Sequence, residues 1–370
     1  MTKLVFDIDF IIFQAVSVAE ERFITALHKP SGRTFEFSNK TELWGHYKKK
    51  EGGWIAEENT KNGNDFYKVE DFEVVECQRP RHFKYSGKIG SLDEFGKIRT
   101  KEVEPYTVSP WVGAKNILDN KVKEICEKLG TNDYMCYTGK GKTFREDIAT
   151  LLKYKGNRDE MLRPLLLDKM KDYVIKRHNC ILVENIEADD AYSIAVIEGY
   201  NNWKKGGDKV IGIAEDKDSK QTNGWHFNPN KDDEPRLVEG FGKLRIDKKD
   251  EVDGYGRMWL AYQTMNGDTS DNYKANCFSD MKWGDKAAYN QLKDAANDKE
   301  LFQALVDGYK KLYPEKKTVI GWAGKEIEID WLYVLQENFN LAKMMRTYDE
   351  KPTNIKDVLT RLDISLEGAS

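Results

Sequence analysis

The sequence is short of cysteine, has no CxxC pair and has no long apolar run. Its five cysteines, Cys77, Cys126, Cys136, Cys180 and Cys277, are scattered, which argues against a zinc site and fits reduced thiols in a cytosol. Nothing approaches the about 18 consecutive apolar residues of a membrane helix. The N-terminus enters "KLVFDIDFIIF" directly, so neither a membrane span nor a cleaved leader is expected. A large charge excess is also missing. The net charge of −4 excludes a global polycation but leaves room for a nucleic-acid partner held by a local basic groove. Internal repeats and low-complexity tracts are absent. With 39% hydrophobic and 33% charged residues in 370, the chain can bury a substantial core, and a soluble protein of two domains or one enlarged α/β domain is expected.

What is present is an alternation of short β-rich runs and helical patterns. The runs are Leu4–Ile8, Tyr134–Thr138, Cys180–Val183 and Val210–Ala214. Such alternation predicts a mostly parallel sheet covered on both faces, with ligands beyond the carboxyl ends of the strands. Residues 22–108, containing "HKPSGRTFEF", "HYKKKEGGW" and "KNGNDF", are too long for an ordinary connection and read as an insertion with some β-hairpin content. A helix-like stretch over 110–129 leads from it to the second strand. After that strand comes the main basic block, with Lys140, Lys142, Arg145, Lys153, Lys155 and Arg158 among its cations. Apolar spacing there predicts two helices with a break at "YKGNR". Residues 223–257 read as turns and hairpins, and the chain from Met258 onward as mainly helical.

Acids gather at the element ends. Asp7 and Asp9 close the first strand, and "EADD" (Glu187, Asp189, Asp190) follows the third. "AEDKDSKQ" (Glu215, Asp216, Asp218) follows the fourth, and "MNGDTSDN" (Asp268, Asp271) follows a helix. Each piece alone has an ordinary reading, as a helix cap or a polar turn. Together, in a parallel sheet, they converge, and ionised carboxylates in one crevice repel unless a cation sits among them. Hard oxygen donors suit Mg²⁺ or Mn²⁺, and two such ions about 3.5–4 Å apart can clamp the attacking and leaving oxygens of a phosphodiester. Two other metal or nucleotide motifs fail. "DKDSKQ" has Lys220 and Gln221 where an EF-hand loop needs other residues. "CYTGKGKT" has Cys136 where a P-loop requires glycine, so its lysines read better as contacts to a nucleic-acid backbone.

In chain order, "VFDIDFIIFQA", "FREDIATLLKYKGNRDE", "VENIEADDAYSIAV", "IAEDKDSKQ", "QTMNGDTSDNYK" and "KWGDKAAYNQL" resemble the 5′-nuclease (flap endonuclease) superfamily. The resemblance is closest to the 5′→3′ exonucleases and ribonuclease H-like enzymes of tailed phages, and covers about residues 1–20 and 130–300. It implies a PIN/FEN-like α/β fold, a mostly parallel central sheet flanked by helices, with a helical arch over about 140–177. The expected regions are a nuclease core of 1–21 plus 109–257, the insertion 22–108, and a mainly helical 258–370 with a helix–turn–helix element.

The resemblance further implies two Mg²⁺ or Mn²⁺ ions, held by Asp7, Glu187, Asp189 and Asp190 on one side and by Asp216, Asp218, Asp268 and Asp271 on the other. Asp9 is an accessory. Lys155 matches a lysine that contacts the scissile phosphate, with Arg158 nearby; Arg145 of "FRED" is a further candidate phosphate contact. A cation beside the metals stabilises charge developing on the phosphate. Tyr154 either stacks on a base or packs beside Leu151 and Leu152. "KWGDKAAYNQL" matches the helix–turn–helix, whose backbone amides and bound K⁺ grip duplex phosphates, with Trp283, Gly284, Asp285 and Lys286 in its neighbourhood. Two departures stand out. Tyr137-Thr138-Gly139 occupies the place of a family acid, with Asp9, Asp147 or a water as candidate substitutes, and Lys282 replaces a common glycine. The expected protein is a monomeric, cytoplasmic, metal-dependent 5′→3′ exonuclease acting on DNA duplexes with a 5′ end or flap, or on RNA:DNA hybrids. Its expected setting is phage replication, with no membrane partner and with the insertion covering the nucleic-acid channel or binding a replication protein. The competing class is a nucleic-acid-binding protein of the same fold with impaired catalysis.

Overall fold

The computed structural model describes residues 1–45, 52–85, 88–92, 98–102 and 104–368. Most of the Lys-rich stretch "HYKKKEGGW", residues 46–51, lies outside the described residues. The chain divides into two compact units, one of Met1–Phe10, Glu124–Met161 and Tyr173–Ser370, the other of Ile11–Lys123 and Leu162–Asp172. This division differs from the expected one. The α/β sheet and the C-terminal helices fall in one unit, and the insertion's unit begins and ends well outside 22–108.

The first unit is built on a six-stranded sheet. Its strands are β1 (Thr2–Asp7), β2 (Tyr134–Thr143), β3 (Cys180–Asn185), β4 (Lys209–Ile213), β5 (Gly224–Phe227) and β6 (Arg236–Val238), in the order β3-β2-β1-β4-β5-β6. All neighbours are parallel except β5 and β6. β1 reads Leu4-Val5-Phe6 without polar alternation because both faces of a parallel sheet are covered, and all three residues are buried. The chain moves from β1 to β2 and β3 on one side, then returns to β4 on the other. That reversal opens a crevice at the carboxyl ends of β1 and β4.

Helix α1 (Ala188–Lys204) packs on this sheet through Ala191, Tyr192 and Val196. The close approach sets a glycine in β4: a Cβ on Gly212 would lie 2.3 Å from the Tyr192 hydroxyl oxygen. Tyr192 in turn bonds His226 Nδ1 at 2.9 Å, while His226 Nε2 lies 2.8 Å from the Thr222 carbonyl oxygen. The carbonyl can only accept, so Nε2 carries the proton and Nδ1 accepts from Tyr192. Burial pushes the His226 pKa down to about 4, although the Thr222 carbonyl favours the charged ring. The unfolded imidazole, near 6.5, therefore binds a proton that the folded one does not. Stability from this residue is fully present above about pH 6.5 and falls as pH drops toward 4, by up to about 3 kcal/mol. His226→Gln should flatten that acid limb in chemical denaturation measured between pH 4 and 7; an unchanged limb would place the acid sensitivity elsewhere.

The rest of the unit is mainly helical, as expected beyond Met258, with one unforeseen hairpin of Lys317–Ile320 and Glu326–Ile329. Helices α2 (Gly256–Asn266), α3 (Asp285–Leu292), α4 (Asp298–Leu312) and α5 (Trp331–Ala342) share one core containing Met258, Leu305, Tyr309, Trp331 and Leu335. Leu151 and Tyr154 belong to that same core. This corrects the reading of 140–177. In place of two helices broken at "YKGNR", β2 runs on to Thr143, a five-residue helix Phe144–Ile148 follows, then turns and a short 3₁₀ stretch, Gly156–Arg158. A regular helix returns only at Leu167–Arg177. The apolar spacing that suggests a helix serves instead to anchor irregular chain on the helical core.

The second unit has a three-stranded antiparallel sheet, Arg33–Phe37, Glu20–His28 and Phe72–Pro80, with Glu20–His28 central. The expected hairpin content is present. Phe37, Tyr67 and Phe72 form its buried aromatic core together with the partly buried Phe35 and Trp54. Among the described residues no helix is long and apolar enough to cross a membrane.

Candidate active site

Asp7 ends β1 and is buried, with one carboxylate oxygen accepting the Asp9 backbone N–H at 3.2 Å. Asp189, in the first turn of α1, shares a hydrogen bond with Asp7. Burial pushes both carboxyl groups up, and Asp216 pushes them further. Asp9 adds to the effect on Asp7, as Glu187 does on Asp189. Asp216 follows β4, and its side chain accepts the Asp218 backbone N–H at 2.8 Å. Asp218 is buried and raised by burial and by Asp216, Asp271 and Asp268, although the Gln263 amide of α2 bonds it. Asp216 thus stands between two acid groups.

Lys155, Arg158 and Lys217 pair closely with the outer acids. Lys155 Nζ lies 2.5 Å from Glu187 Oε1 and 3.8 Å from Asp271 Oδ1. Burial works against its ammonium, but those carboxylates overcome it and hold the pKa above the ordinary lysine value. Lys155 sits at φ 55°, a left-handed conformation that is strained for a side-chain-bearing residue. Its backbone N–H bonds the Asp271 carbonyl at 2.9 Å, which fixes the turn beside that aspartate. Arg158 Nη2 reaches Asp271 Oδ1 at 2.9 Å. Lys217 Nζ reaches Asp268 Oδ2 at 2.8 Å. Burial raises Asp268, yet Lys217 and Ser270 outweigh it and hold that carboxyl below the usual range.

Two candidate ligands and contacts are corrected by this geometry. Arg145 is buried, and its guanidinium holds Asp190 with contacts of 2.5 and 2.8 Å. Its remaining donors bond the Leu341 carbonyl at 3.1 Å and the Lys343 carbonyl at 2.8 Å. Asp190 also accepts the backbone N–H of Glu187 at 3.2 Å and of Met345 at 3.0 Å. Arg145 and Asp190 thus use these polar atoms within the fold, as a buried tie between α1 and the end of α5, with Arg145 Nη1 also 3.7 Å from Glu187 Oε2. Of the two readings of Tyr154, packing beside Leu151 is the one the structure has. It is buried, its hydroxyl 3.0 Å from Asp271 Oδ2 and 3.3 Å from Glu187 Oε2, so it links acids rather than stacking on a base.

Lys140 and Lys142 are exposed on the far end of β2. Gly284 precedes α3 in an extended conformation, and Lys286 Nζ lies 2.5 Å from Asp250 Oδ1. α3 and α4 are joined through residues 293–297, a helix pair where the helix–turn–helix was expected. At the position of the absent acid, Thr138 is buried and donates to Asp9 Oδ1 at 2.5 Å, while a Cβ on Gly139 would lie 3.3 Å from the Ala188 nitrogen. Of the candidate substitutes, Asp9 adjoins Asp7 and Asp147 is exposed. Lys217, Gln263 and Thr138 were not foreseen as site residues; only Lys217, between two acids in "EDKD", carried a signal.

The donor chemistry fits a hard divalent cation: oxygen donors only, with burial and repulsion concentrated on Asp7, Asp189 and Asp218, and with the exposed Asp216 carboxylate acting on all three. Among the described residues, however, no three His, Cys, Asp or Glu side chains stand gathered as a ready metal cage. No protein-family model matches the chain, and no curated protein matches it. Among solved structures it is similar to a zinc-bound 5′-exonuclease of T5, with 16% identity and a TM-score of 0.37 over 60% of this chain and 79% of that one. It is also similar to a flap endonuclease of bacteriophage T5 in a pseudo-enzyme–product complex with DNA and metal ions, with 14% identity and a TM-score of 0.33 over 61% of this chain and 90% of that one.

Proposed function

We propose that this chain is a metal-dependent 5′→3′ nuclease that hydrolyses phosphodiesters at 5′ ends of DNA duplexes or RNA:DNA hybrids, including 5′ flaps, in phage replication. The observation that carries the reading is the set of desolvated acids at the carboxyl ends of β1 and β4, with Lys155 and Arg158 held beside it. Asp7, Asp189, Asp216 and Asp218 are the residues to hold two Mg²⁺ or Mn²⁺ ions, with Glu187, Asp268 and Asp271 adjoining them. Metal bound there supplies Lewis-acid polarisation of the phosphate and a more acidic water.

Lys155 and Arg158 are the phosphate cations. Each is already charged and poised by a carboxylate, so a phosphate oxygen can take over as counter-anion, and the charge gained in the transition state is met without reorganisation. Water's oxygen joins phosphorus, the 3′ oxygen leaves as a hydroxyl and a 5′-phosphate remains. Lys140 and Lys142 contact the backbone electrostatically, and the α3 region with Gly284 and Lys286 holds the duplex. A second reading, a nucleic-acid-binding protein with impaired catalysis, is favoured by Thr138-Gly139 in place of the family acid and by the absence of a ready cage among the described residues.

A labelled flap, a blunt duplex and an RNA:DNA hybrid, each with Mg²⁺ or Mn²⁺, separate the two. The nuclease reading expects short 5′-phosphorylated products that vanish with chelator. Tight binding of all three without metal-dependent products would favour the second reading.

A further inference from the structure

The hairpin of Lys317–Ile320 and Glu326–Ile329 ends in a turn that carries a half-exposed indole. Trp322 is 48% exposed and its neighbour Ile320 is 57% exposed. The turn lies flush on the segment that leads to Lys155: a Cβ on Gly321 would come within 2.5 Å of the Thr150 carbonyl oxygen. The indole N–H donates to the Ala149 carbonyl at 2.8 Å, which fixes one edge of the ring. Lys153 Nζ stands 5.9 Å from the ring centroid and also pairs with Asp159. The Lys153 carbonyl accepts Asn272 Nδ2 at 2.9 Å, one residue from Asp271. The indole is therefore coupled through 149–153 to the chain that bears Lys155 and Arg158.

We propose that Trp322, with Lys153 at its side, is a stacking platform for an unpaired base of the substrate, placed where a single-stranded 5′ segment approaches Lys155. The inference rests on the nuclease reading and adds to it a residue that selects single-stranded ends. An immobilised aromatic face beside a cation is what sequence-tolerant single-strand binding requires, the ring taking the base and the ammonium the adjoining phosphate. Core packing does not account for the whole of this residue, since about half of its surface is uncovered although its indole N–H is anchored on the buried Ala149. A purely hydrophobic partner is disfavoured by Lys153, Lys155 and Arg158 in the same short segment.

The test measures equilibrium binding of the full chain, in chelator, to a fluorescent duplex with a single-stranded 5′ overhang and to the matching blunt duplex. Wild type, Trp322→Leu and Trp322→Phe are compared. The overhang-to-blunt affinity ratio should fall about tenfold in the Leu variant, which keeps apolar bulk but no aromatic face, and return to within about threefold in the Phe variant. On the wild-type protein, photo-crosslinking of 5-iodouracil in the overhang should label the peptide containing Trp322. An unaltered ratio in Trp322→Leu, or crosslinks confined to other peptides, overturns the platform while leaving the nuclease reading intact. Wild-type protein that binds neither duplex overturns both.

Discussion

Asp189→Asn should raise the melting temperature of the protein held in chelator by about 2 °C or more at pH 8, even as it removes cleavage. In the folded chain burial weighs most against the Asp189 carboxylate, and Asp7, Asp216 and Glu187 add their repulsion. Asn keeps a donor for Asp7, as a protonated Asp would, and carries no charge. The sign with pH follows from the upward shift. The folded carboxyl binds its proton more tightly than the unfolded one, so its cost is absent below about pH 4 and grows as pH rises through the folded value. The gain from Asn should accordingly be larger at pH 8 than at pH 5. Mg²⁺ or Mn²⁺ should raise the wild-type melting temperature by mass action and move the variant far less. A variant less stable than wild type in chelator would show that Asp189 is not held against repulsion.

Arg145→Ala should be among the most damaging single substitutions, costing about 3–5 kcal/mol and lowering the melting temperature by roughly 5 °C. The side chain is fully buried, and its removal leaves the Asp190 carboxylate without its guanidinium and two carbonyls at the end of α5 without donors. Combining Arg145→Met with Asp190→Leu should recover much of the loss, because replacing both partners of a buried pair is far milder than orphaning one. Urea denaturation of the single and double variants measures the coupling directly. If Arg145→Ala folded with wild-type stability and only nucleic-acid affinity fell, the phosphate-contact reading of "FRED" would be restored.

Much of the frame was legible because it depends on local pattern. The four predicted strands are all present, since apolar runs such as Leu4-Val5-Phe6 can satisfy a doubly covered parallel sheet and little else, and the acids follow from where those strands end. What local pattern could not assign is partnership. Asp189 and Asp190 are adjacent and both open a helix, yet one faces Asp7 and the other Arg145, a choice fixed by partners far away in the chain. Tyr154 and Leu151 have helical spacing, but their burial is achieved by irregular chain lying on α5 and its neighbours. The hairpins expected over 223–257 are present, as β5 with β6 and as Lys243–Ile246 with Val252–Tyr255; what the short, mixed sequence of β5 does not show is its parallel pairing with β4. Thr138 stands out in the sequence only as the place of a missing acid: its meaning lies in the 2.5 Å contact with Asp9, which opens the helix Asp9–Ser17 rather than extending β1.

The central claim is that the acids at the carboxyl ends of β1 and β4 are catalytic, and the most direct test is the cleavage rate of a 5′-labelled duplex measured beside its binding. Wild type, Asp189→Ala and Asp216→Ala are compared in Mg²⁺ or Mn²⁺ and in chelator. The expected result is metal-dependent release of short products by wild type, loss of cleavage by at least about 10³-fold in each variant, and duplex affinity largely retained. Wild-type cleavage that persists in chelator, or variants that bind and cut at the wild-type rate, would contradict it.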